Sequence, residues 1–151
     1  MFPHPVLTKI IGEPNLASIT LQQSEHNGNL ASINSNLGDG LTGLMFLSMK
    51  PDIFKNIHPD AFEIPTNPGP APDAAVIAAA STATKIADIY KAYALESTIY
   101  AEYVIAEHIS VKIALDSMSE IYYKALKNAY TGYAGVTLRQ LLDHLVSWSY
   151  P

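Results

Sequence analysis

The apolar positions near the C-terminus recur at the spacing of an amphipathic helix. The recurring residues are Leu138, Leu141, Leu142, Leu145 and Trp148. Positions three and four apart share one face of a helix, so the pattern predicts a helix over residues 138–148 with one packed side. Thr137 and Gln140 stand in the spacing of a capping box, and Val136 and Leu141 in that of a hydrophobic staple. The segment is therefore expected to pack rather than to react.

A second helical pattern occupies the middle of the chain. Alanine, isoleucine and tyrosine positions step by threes and fours for about 35 residues after Asp73, which is a good N-cap. Ser110 is predicted to break this helix. One or two further helices are expected over residues 111–128, where Ser117 and Glu120 have capping-box spacing.

The first 72 residues carry shorter patterns. Asn15 can cap a helix that reaches about residue 25, and residues 27–29, Asn-Gly-Asn, are typical of a turn. A second short helical segment is predicted over residues 30–37, and Pro51 fits the first position of another helix. Residues 59–72 contain five prolines. Since proline fixes φ and cannot donate a backbone hydrogen bond, this stretch is predicted to be an extended linker.

These patterns predict an all-α protein, because no segment alternates apolar and polar residues in the manner of a strand. We expect an irregular Pro/Gly-rich N-terminal part, then a long helix and a C-terminal helical bundle. The predicted division is an arm over residues 1–72 and a helical domain over residues 73–151. The residues predicted to form the core and the cap of that domain are Leu126, Tyr133, Val136, Thr137, Gln140, Leu141, Leu142 and Leu145.

The chain contains fewer charged residues than a fully solvated helical bundle would. Hydrophobic residues make up 48% and charged residues 15% of the 151 positions, against about 25% charged residues in typical soluble domains. This balance predicts that some apolar surface meets another chain. The net charge of −5 argues against a general nucleic-acid footprint. With neither a secretory signal nor an apolar stretch of about 20 residues, we expect a cytoplasmic protein without a membrane partner.

Candidate chemistry is weak throughout the chain. Residues 38–43 match G-x-G-x-x-G, but no strand precedes them and no βαβ unit follows, so a glycine loop is expected instead of a nucleotide site. No two histidines stand four residues apart, and cysteine is absent, which excludes disulfides and thiol catalysis. The sequence also lacks G-x-S-x-G. We therefore expect neither an enzyme nor a cofactor or metal site.

Four tyrosines of the long helix form the candidate assembly surface. They are Tyr90, Tyr93, Tyr100 and Tyr103. A base-stacking platform would need a basic groove, whereas residues 85–112 carry three lysines against four carboxylates. Aromatic residues in a charge-poor segment are typical of a protein interface, so a homo-oligomer contact is the preferred interpretation.

Several sequence blocks resemble the Gag polyprotein of copia-type LTR retrotransposons. Residues 29–40 are similar to NAASIPSTLGGG, and residues 65–69 to a P-x-NPG block. The end of the chain is similar to three consecutive blocks of the family. The block YLxxL corresponds to residues 123–126, TGYANVT to residues 131–137, and LLxHL to residues 141–145. The similarity runs from about Pro14 to Tyr150. The chain departs from the pattern at residues 41–44, where the family usually has His-Gly-His after the glycine block, and at Pro151, where it usually has glycine.

The resemblance implies a mostly helical segment of a precursor that assembles into a virus-like particle around the element's RNA. The family's zinc knuckle, protease, integrase and reverse transcriptase lie downstream of the similar region. The chain is thus expected to be an amino-terminal Gag piece, as a fragment, a decayed copy or a trimmed reading frame. It would bind nucleic acid only weakly or through those missing regions.

Two other functions stay open on the sequence. One is a helical adaptor or small-ligand-binding bundle with no role in assembly, which a closed apolar pocket would favour. The other is a nucleotide-binding enzyme that uses the glycine loop, which a stabilising dinucleotide would favour.

Overall fold

A computed structural model of the chain describes residues 2–35, 42–57, 64–79 and 82–149. Its helices are α1 (Leu16–Ala31), α2 (Pro51–Ile57), α3 (Ala74–Ala79), α4 (Ala83–Leu115) and α5 (Leu138–Ser149). Short 3₁₀ helices cover Met45–Ser48, Glu120–Tyr122 and Lys124–Leu126. Within these described ranges there is no strand, and a single isolated β-bridge joins Asn128 to Gly132. The all-α prediction is confirmed for this part of the chain.

The chain forms two compact units. Unit 1 contains Met1–Phe62 and Ala106–Pro151, and unit 2 contains Glu63–Ile105. This division differs from the predicted boundary at residue 72. The difference arises because the last helix does not form a bundle with C-terminal partners alone: α5 packs against α1 and against the 3₁₀ helix Met45–Ser48. Unit 1 is therefore built from both ends of the chain.

The apolar core lies in unit 1. The four leucines of α5 at positions 138, 141, 142 and 145 are at most 1% exposed. They are joined in the core by Ile19 and Leu30 of α1 and by Phe46 and Leu47 of the 3₁₀ helix. Because full burial of one leucine contributes about 1.5–3 kcal/mol, the leucine face of α5 is a major stabilising element of unit 1.

The start of α5 has the predicted capping box. The Thr137 hydroxyl oxygen accepts from the Gln140 backbone N–H at 3.1 Å, and the Gln140 carbonyl oxygen Oε1 accepts from the Thr137 N–H at 3.0 Å. The buried carboxylate of Glu107 on α4 accepts from the Leu138 N–H at 3.2 Å. An anion at a helix N-terminus is favoured by the helix dipole. Local capping and a distant carboxylate thus fix the same helix end.

Helix α1 begins as predicted but continues further. Asn15 caps it in a capping box with Ser18. The predicted turn at residues 27–29 is wrong, since the helix runs through these positions to Ala31. The side chain of Asn29 bonds to both the N–H and the carbonyl of His4, at 2.7 and 2.9 Å. These tertiary contacts offset the low helix preference of asparagine and glycine. Of the predicted segment 30–37, Leu30 therefore belongs to α1, and Leu37 lies outside the described residues.

The predicted break at Ser110 is also wrong. Ser110 is fully buried within α4, which ends only at Leu115. The predicted capping box of Ser117 and Glu120 is absent, because the Ser117 hydroxyl donates to the Ala114 carbonyl and accepts from Gln22 of α1 at 2.5 Å. The residues after α4 form the two short 3₁₀ helices instead of longer α-helices. Tertiary partners decide these positions, since intrinsic preferences differ by only tenths of a kcal/mol.

Gly43 packs against the C-terminal end of α1. Its φ is +54°, and a Cβ atom there would lie 2.3 Å from the Ile33 carbonyl oxygen and 2.6 Å from that of Leu30. The next residue, Leu44, donates its N–H to the Leu30 carbonyl at 2.9 Å. Of the predicted glycine loop, residues 38–41 lie outside the described ranges. The described end of that loop serves to close the chain onto α1.

Replacement of Gly43 by alanine is expected to destabilise the protein by more than about 3 kcal/mol, because the positive φ and the backbone clash add. The control is Gly12→Ala, where φ is also positive, at +76°, but no atom lies within 4 Å of the added Cβ. That change should cost only about 1–2 kcal/mol. Urea unfolding of both variants gives the comparison, and equal losses would contradict the close approach at Gly43.

Candidate functional site

Part of α4 lies on the surface of unit 2. Among the residues of unit 2 whose side chains the structure describes, none is buried. The segment of α4 in this unit, residues 83–105, is about 34 Å long at 1.5 Å per residue. It presents large apolar side chains to solvent: Tyr90 is 47%, Leu95 61% and Ile105 57% exposed. Exposed apolar surface of this kind marks protein interaction sites.

The four predicted assembly tyrosines do not form one surface. Tyr93 is half-buried, and its hydroxyl donates to the Gly69 carbonyl at 2.9 Å, so it ties the proline-rich segment to α4. Tyr100 and Tyr103 are half-buried with ring centroids 6.1 Å apart. Only Tyr90 is classed as exposed. Sequence spacing placed all four tyrosines on the long helix but did not separate the half-buried ones from the exposed Tyr90.

The predicted core and cap residues are divided between core and surface. Leu141, Leu142 and Leu145 are buried, as described above, whereas Gln140 is exposed and acts as a cap. Leu126 and Val136 are half-buried and line an open groove beside the start of α5. Tyr133 is also half-buried. Its ring stands edge-on to that of Tyr123 at 5.1 Å, and its hydroxyl donates to Glu120 at 3.1 Å.

A polar network that the sequence did not suggest joins α5 to α1 and to the 3₁₀ helix. Arg139 donates from Nη1 to the Ser48 carbonyl at 2.6 Å and to the Gln23 carbonyl oxygen Oε1 at 3.2 Å. Gln23 Nε2 donates to the same Ser48 carbonyl at 2.6 Å and to Asn27 Oδ1 at 2.9 Å. Asp143 binds the other side of the guanidinium group, with Nη2 at 2.8 Å. Arg139 is the only arginine in the sequence, which is the one signal that could have drawn attention to it.

Unit 1 also buries a neutral histidine. His26 of α1 is 0% exposed, and neither ring nitrogen has a hydrogen-bond partner among the described residues. Burial lowers the pKa of His26 to about 4, because desolvation disfavours the charged imidazolium. The side chain thus stays uncharged near neutral pH.

The described residues offer no assembled chemical site. They contain no group of three or more histidine, aspartate or glutamate side chains that could hold a metal ion. A small cavity lined by Pro5, Leu7 and Ile113 among others has a volume of about 70 Å³. Two larger grooves, about 640 Å³ beside the start of α5 and about 500 Å³ beside Ile33, reach the roughly 300–1,000 Å³ of ligand pockets but are open to solvent. Across the described ranges, no helix combines the length and the apolar character needed to cross a membrane. The exposed part of α4 is therefore the strongest candidate for a functional surface.

Comparison with known proteins found no relative of this chain. No protein-family model matches the chain, and no curated protein or solved structure is similar to it.

Arg139→Ala is expected to lower the free energy of unfolding by about 2–3 kcal/mol, because it removes charge-assisted hydrogen bonds that are partly buried. The control is Lys127→Ala. Lys127 and Glu120 form an exposed ion pair at 3.6 Å with side chains about half accessible, so its loss should cost less than about 0.5 kcal/mol. Urea unfolding measures both changes. A loss at Arg139 no larger than that at Lys127 would show that the network contributes little.

Stability is expected to fall as the pH drops from about 6.5 to about 4. In this window the unfolded chain binds a proton at His26, whose pKa is then near 6.5, while the folded chain does not because its pKa is about 4. The linkage costs about 1.4 kcal/mol per pH unit, or about 3 kcal/mol over the window. Denaturant unfolding of the unmodified chain and of His26→Gln across this range isolates the effect, since the carboxylates titrate in both. A pH-independent difference between the two proteins would contradict the burial of His26.

Proposed function

We propose that this chain is a structural protein that acts by self-association, in the manner of the Gag capsid region of copia-type LTR retrotransposons. Its functional surface is the exposed part of α4, and its partner is a further copy of the same chain. Catalysis and bound cofactors have no part in this function. The sequence blocks that resemble Gag support the proposal, and so does the low fraction of charged residues.

The observation that carries the proposal is the contrast between the two units. Every buried apolar side chain of the described residues belongs to unit 1. Unit 2 holds a helical segment about 34 Å long without one buried side chain among those described. Helices owe most of their stability to the packing of an apolar face. A partner that covers this segment would supply the packing that the single chain lacks.

The partner is proposed to be protein rather than RNA. Residues 83–105 carry two lysines, Lys85 and Lys91, against three acidic residues, Asp88, Glu96 and Glu102. The segment thus has a net charge of −1, whereas surfaces that bind nucleic acid are basic. Small-ligand binding gains little support, because the two larger grooves, of about 640 and 500 Å³, are open to solvent, whereas a ligand pocket buries most of its ligand's surface.

The proposal predicts a molar mass that rises with concentration. Multi-angle light scattering over a concentration series, with electron microscopy of the heaviest fraction, measures this growth directly. Tyr90→Asp should shift the growth to higher concentration, because it places a charge in the contact. The matched control is Tyr130→Asp, since Tyr130 is 97% exposed on the 128–132 turn of unit 1. This variant should assemble as the unmodified chain does.

A strict monomer at every concentration would overturn self-association and would favour the helical adaptor. Equal effects of the two tyrosine substitutions would retain self-association but move it away from α4. Circular dichroism of both variants excludes unfolding as the cause of a change in mass.

A further inference from the structure

The N-terminal residues 2–10, which we call the tail, lie against α1 and the end of α4 within unit 1. The tail itself forms neither a helix nor a strand. Its side chains Leu7 and Ile10 are buried, with 3% and 7% of their surfaces exposed. The Ile10 N–H donates to the Ser117 carbonyl at 2.8 Å, just beyond the end of α4. The tail is therefore held on unit 1 in the manner of a bound peptide.

Three side chains on one face of α1 bind the backbone of the tail. Asn29 accepts from the His4 N–H at 2.7 Å and donates to the His4 carbonyl at 2.9 Å. Glu25 accepts from the Thr8 N–H at 3.1 Å and from the Thr8 hydroxyl at 3.2 Å. Gln22 donates from Nε2 to the Thr8 carbonyl at 3.4 Å. Because these three positions are three and four residues apart, they form one binding groove along α1.

The groove needs a tail to satisfy its polar groups. Gln22 and Asn29 are 0% exposed, and Glu25 is 7% exposed. A buried amide or carboxylate that lacks hydrogen-bond partners costs free energy. When the tail leaves the groove, another tail can restore the same contacts, since they are made mainly to backbone groups. A second copy of the chain carries an identical tail and makes those contacts unchanged.

The linker between the tail and α1 is suited to such an exchange. Ile11, Gly12 and Glu13 are all exposed, and no atom lies within 4 Å of a Cβ placed on Gly12. When fully extended, the chain from Ile10 to Asn15 spans at most about 18 Å. An exchanged tail therefore keeps the start of its own α1 within that distance of the groove on the second copy.

Exposed apolar side chains on both sides of the linker favour a second copy as the source of the tail. Ile11 is 94% exposed, and Leu16, at the first position of α1, is 58% exposed. In an exchanged pair these residues lie where the linkers and the α1 starts of the two copies approach each other. Contact between the copies there would remove apolar surface from water that a chain with its own tail bound leaves exposed.

We propose that two copies of the chain exchange their tails, so that residues 2–10 of each copy fill the α1 groove of the other. This inference rests on the proposed self-association and adds to it a contact separate from α4. A single twofold contact ends at a dimer, whereas two different contacts link dimers into larger assemblies. Tail exchange thus gives copies that meet through α4 a second contact for further growth.

Disulfide trapping between two single-cysteine variants tests the exchange, because the chain contains no cysteine of its own. His4→Cys places a thiol on the tail. Gly28→Cys places one on α1, where an added Cβ lies 3.6 Å from the His4 ring. The two thiols are thus within reach of a disulfide when the tail fills the groove. In a mixture of the variants they belong to different chains, so exchange is what brings them together in the groove.

The mixture is equilibrated at a concentration where light scattering detects oligomers and is then oxidised mildly. A mass tag on one variant separates the mixed disulfide on a non-reducing gel. The matched control replaces Gly28→Cys by Tyr130→Cys, since Tyr130 is 97% exposed and reports random collisions. Exchange predicts about tenfold more mixed product with Gly28→Cys, because docking holds the thiols at a millimolar effective concentration.

The outcomes separate this inference from the proposed function. Equal yields with the two partner variants, while the mass still grows, would overturn the exchange and leave self-association intact. An excess of the groove product, together with growth that Tyr90→Asp does not change, would support the exchange and overturn the α4 contact. A strict monomer by light scattering would overturn both.

The double variant His4→Cys/Gly28→Cys gives a second test. Oxidation at high dilution forms the disulfide within one chain and locks the tail in its own groove. After concentration, the oxidised protein should reach a mean mass at least about twofold lower than its reduced form, because each exchange joins two chains. The reduced form is the matched control for any effect of the substitutions on folding. Equal masses in the two redox states would overturn the exchange.

Discussion

The guanidinium group of Arg139 joins three segments that are far apart in the sequence. Its hydrogen bonds to Ser48 and Gln23 hold α5 on the 3₁₀ helix and on α1. The apolar face of α5 determines which side of the helix is buried. It does not determine which segment packs against that side, since leucine side chains can pack against many apolar surfaces. The forked geometry of arginine is more selective than an apolar contact. Unit 1 depends on this cross-connection, because it brings both ends of the chain into one core.

Unit 2 is subject to the opposite constraint. Its segment of α4 is helical over residues 83–105 but has no core of its own among the described side chains. Where unit 1 satisfies its apolar residues within the chain, unit 2 leaves Tyr90, Leu95 and Ile105 exposed. Larger exposed apolar patches mark interaction sites. The proposed partner is a second copy of the chain.

The sequence predicted those parts of the fold that local patterns control. The leucine face of α5 and the capping pair Thr137 and Gln140 follow from spacing within a dozen residues, and the structure has both. The turn expected at residues 27–29 and the break expected at Ser110 were wrong, because tertiary contacts override weak local preferences. Those contacts, such as that of Asn29 with His4, join segments that no local pattern relates.

The sequence predicted the candidate site only in part, because tertiary contacts also decide which residues of α4 are exposed. Spacing identified the long helix and its tyrosines, but the side that faces solvent depends on what covers the other side. The bond from Tyr93 to Gly69 turns that tyrosine inward and leaves Tyr90 outward. Arg139 gave no periodic signal, since its partners Ser48 and Gln23 lie 91 and 116 positions away.

Amide hydrogen exchange at low and high protein concentration tests most directly whether α4 completes its packing in a second copy. Peptides from residues 83–105 should exchange more slowly at high concentration, because pairing stabilises that segment. Peptides from α1 and α5 should exchange at the same rate at both concentrations, since their core is internal to unit 1. Exchange of residues 83–105 that does not change with concentration would contradict the account.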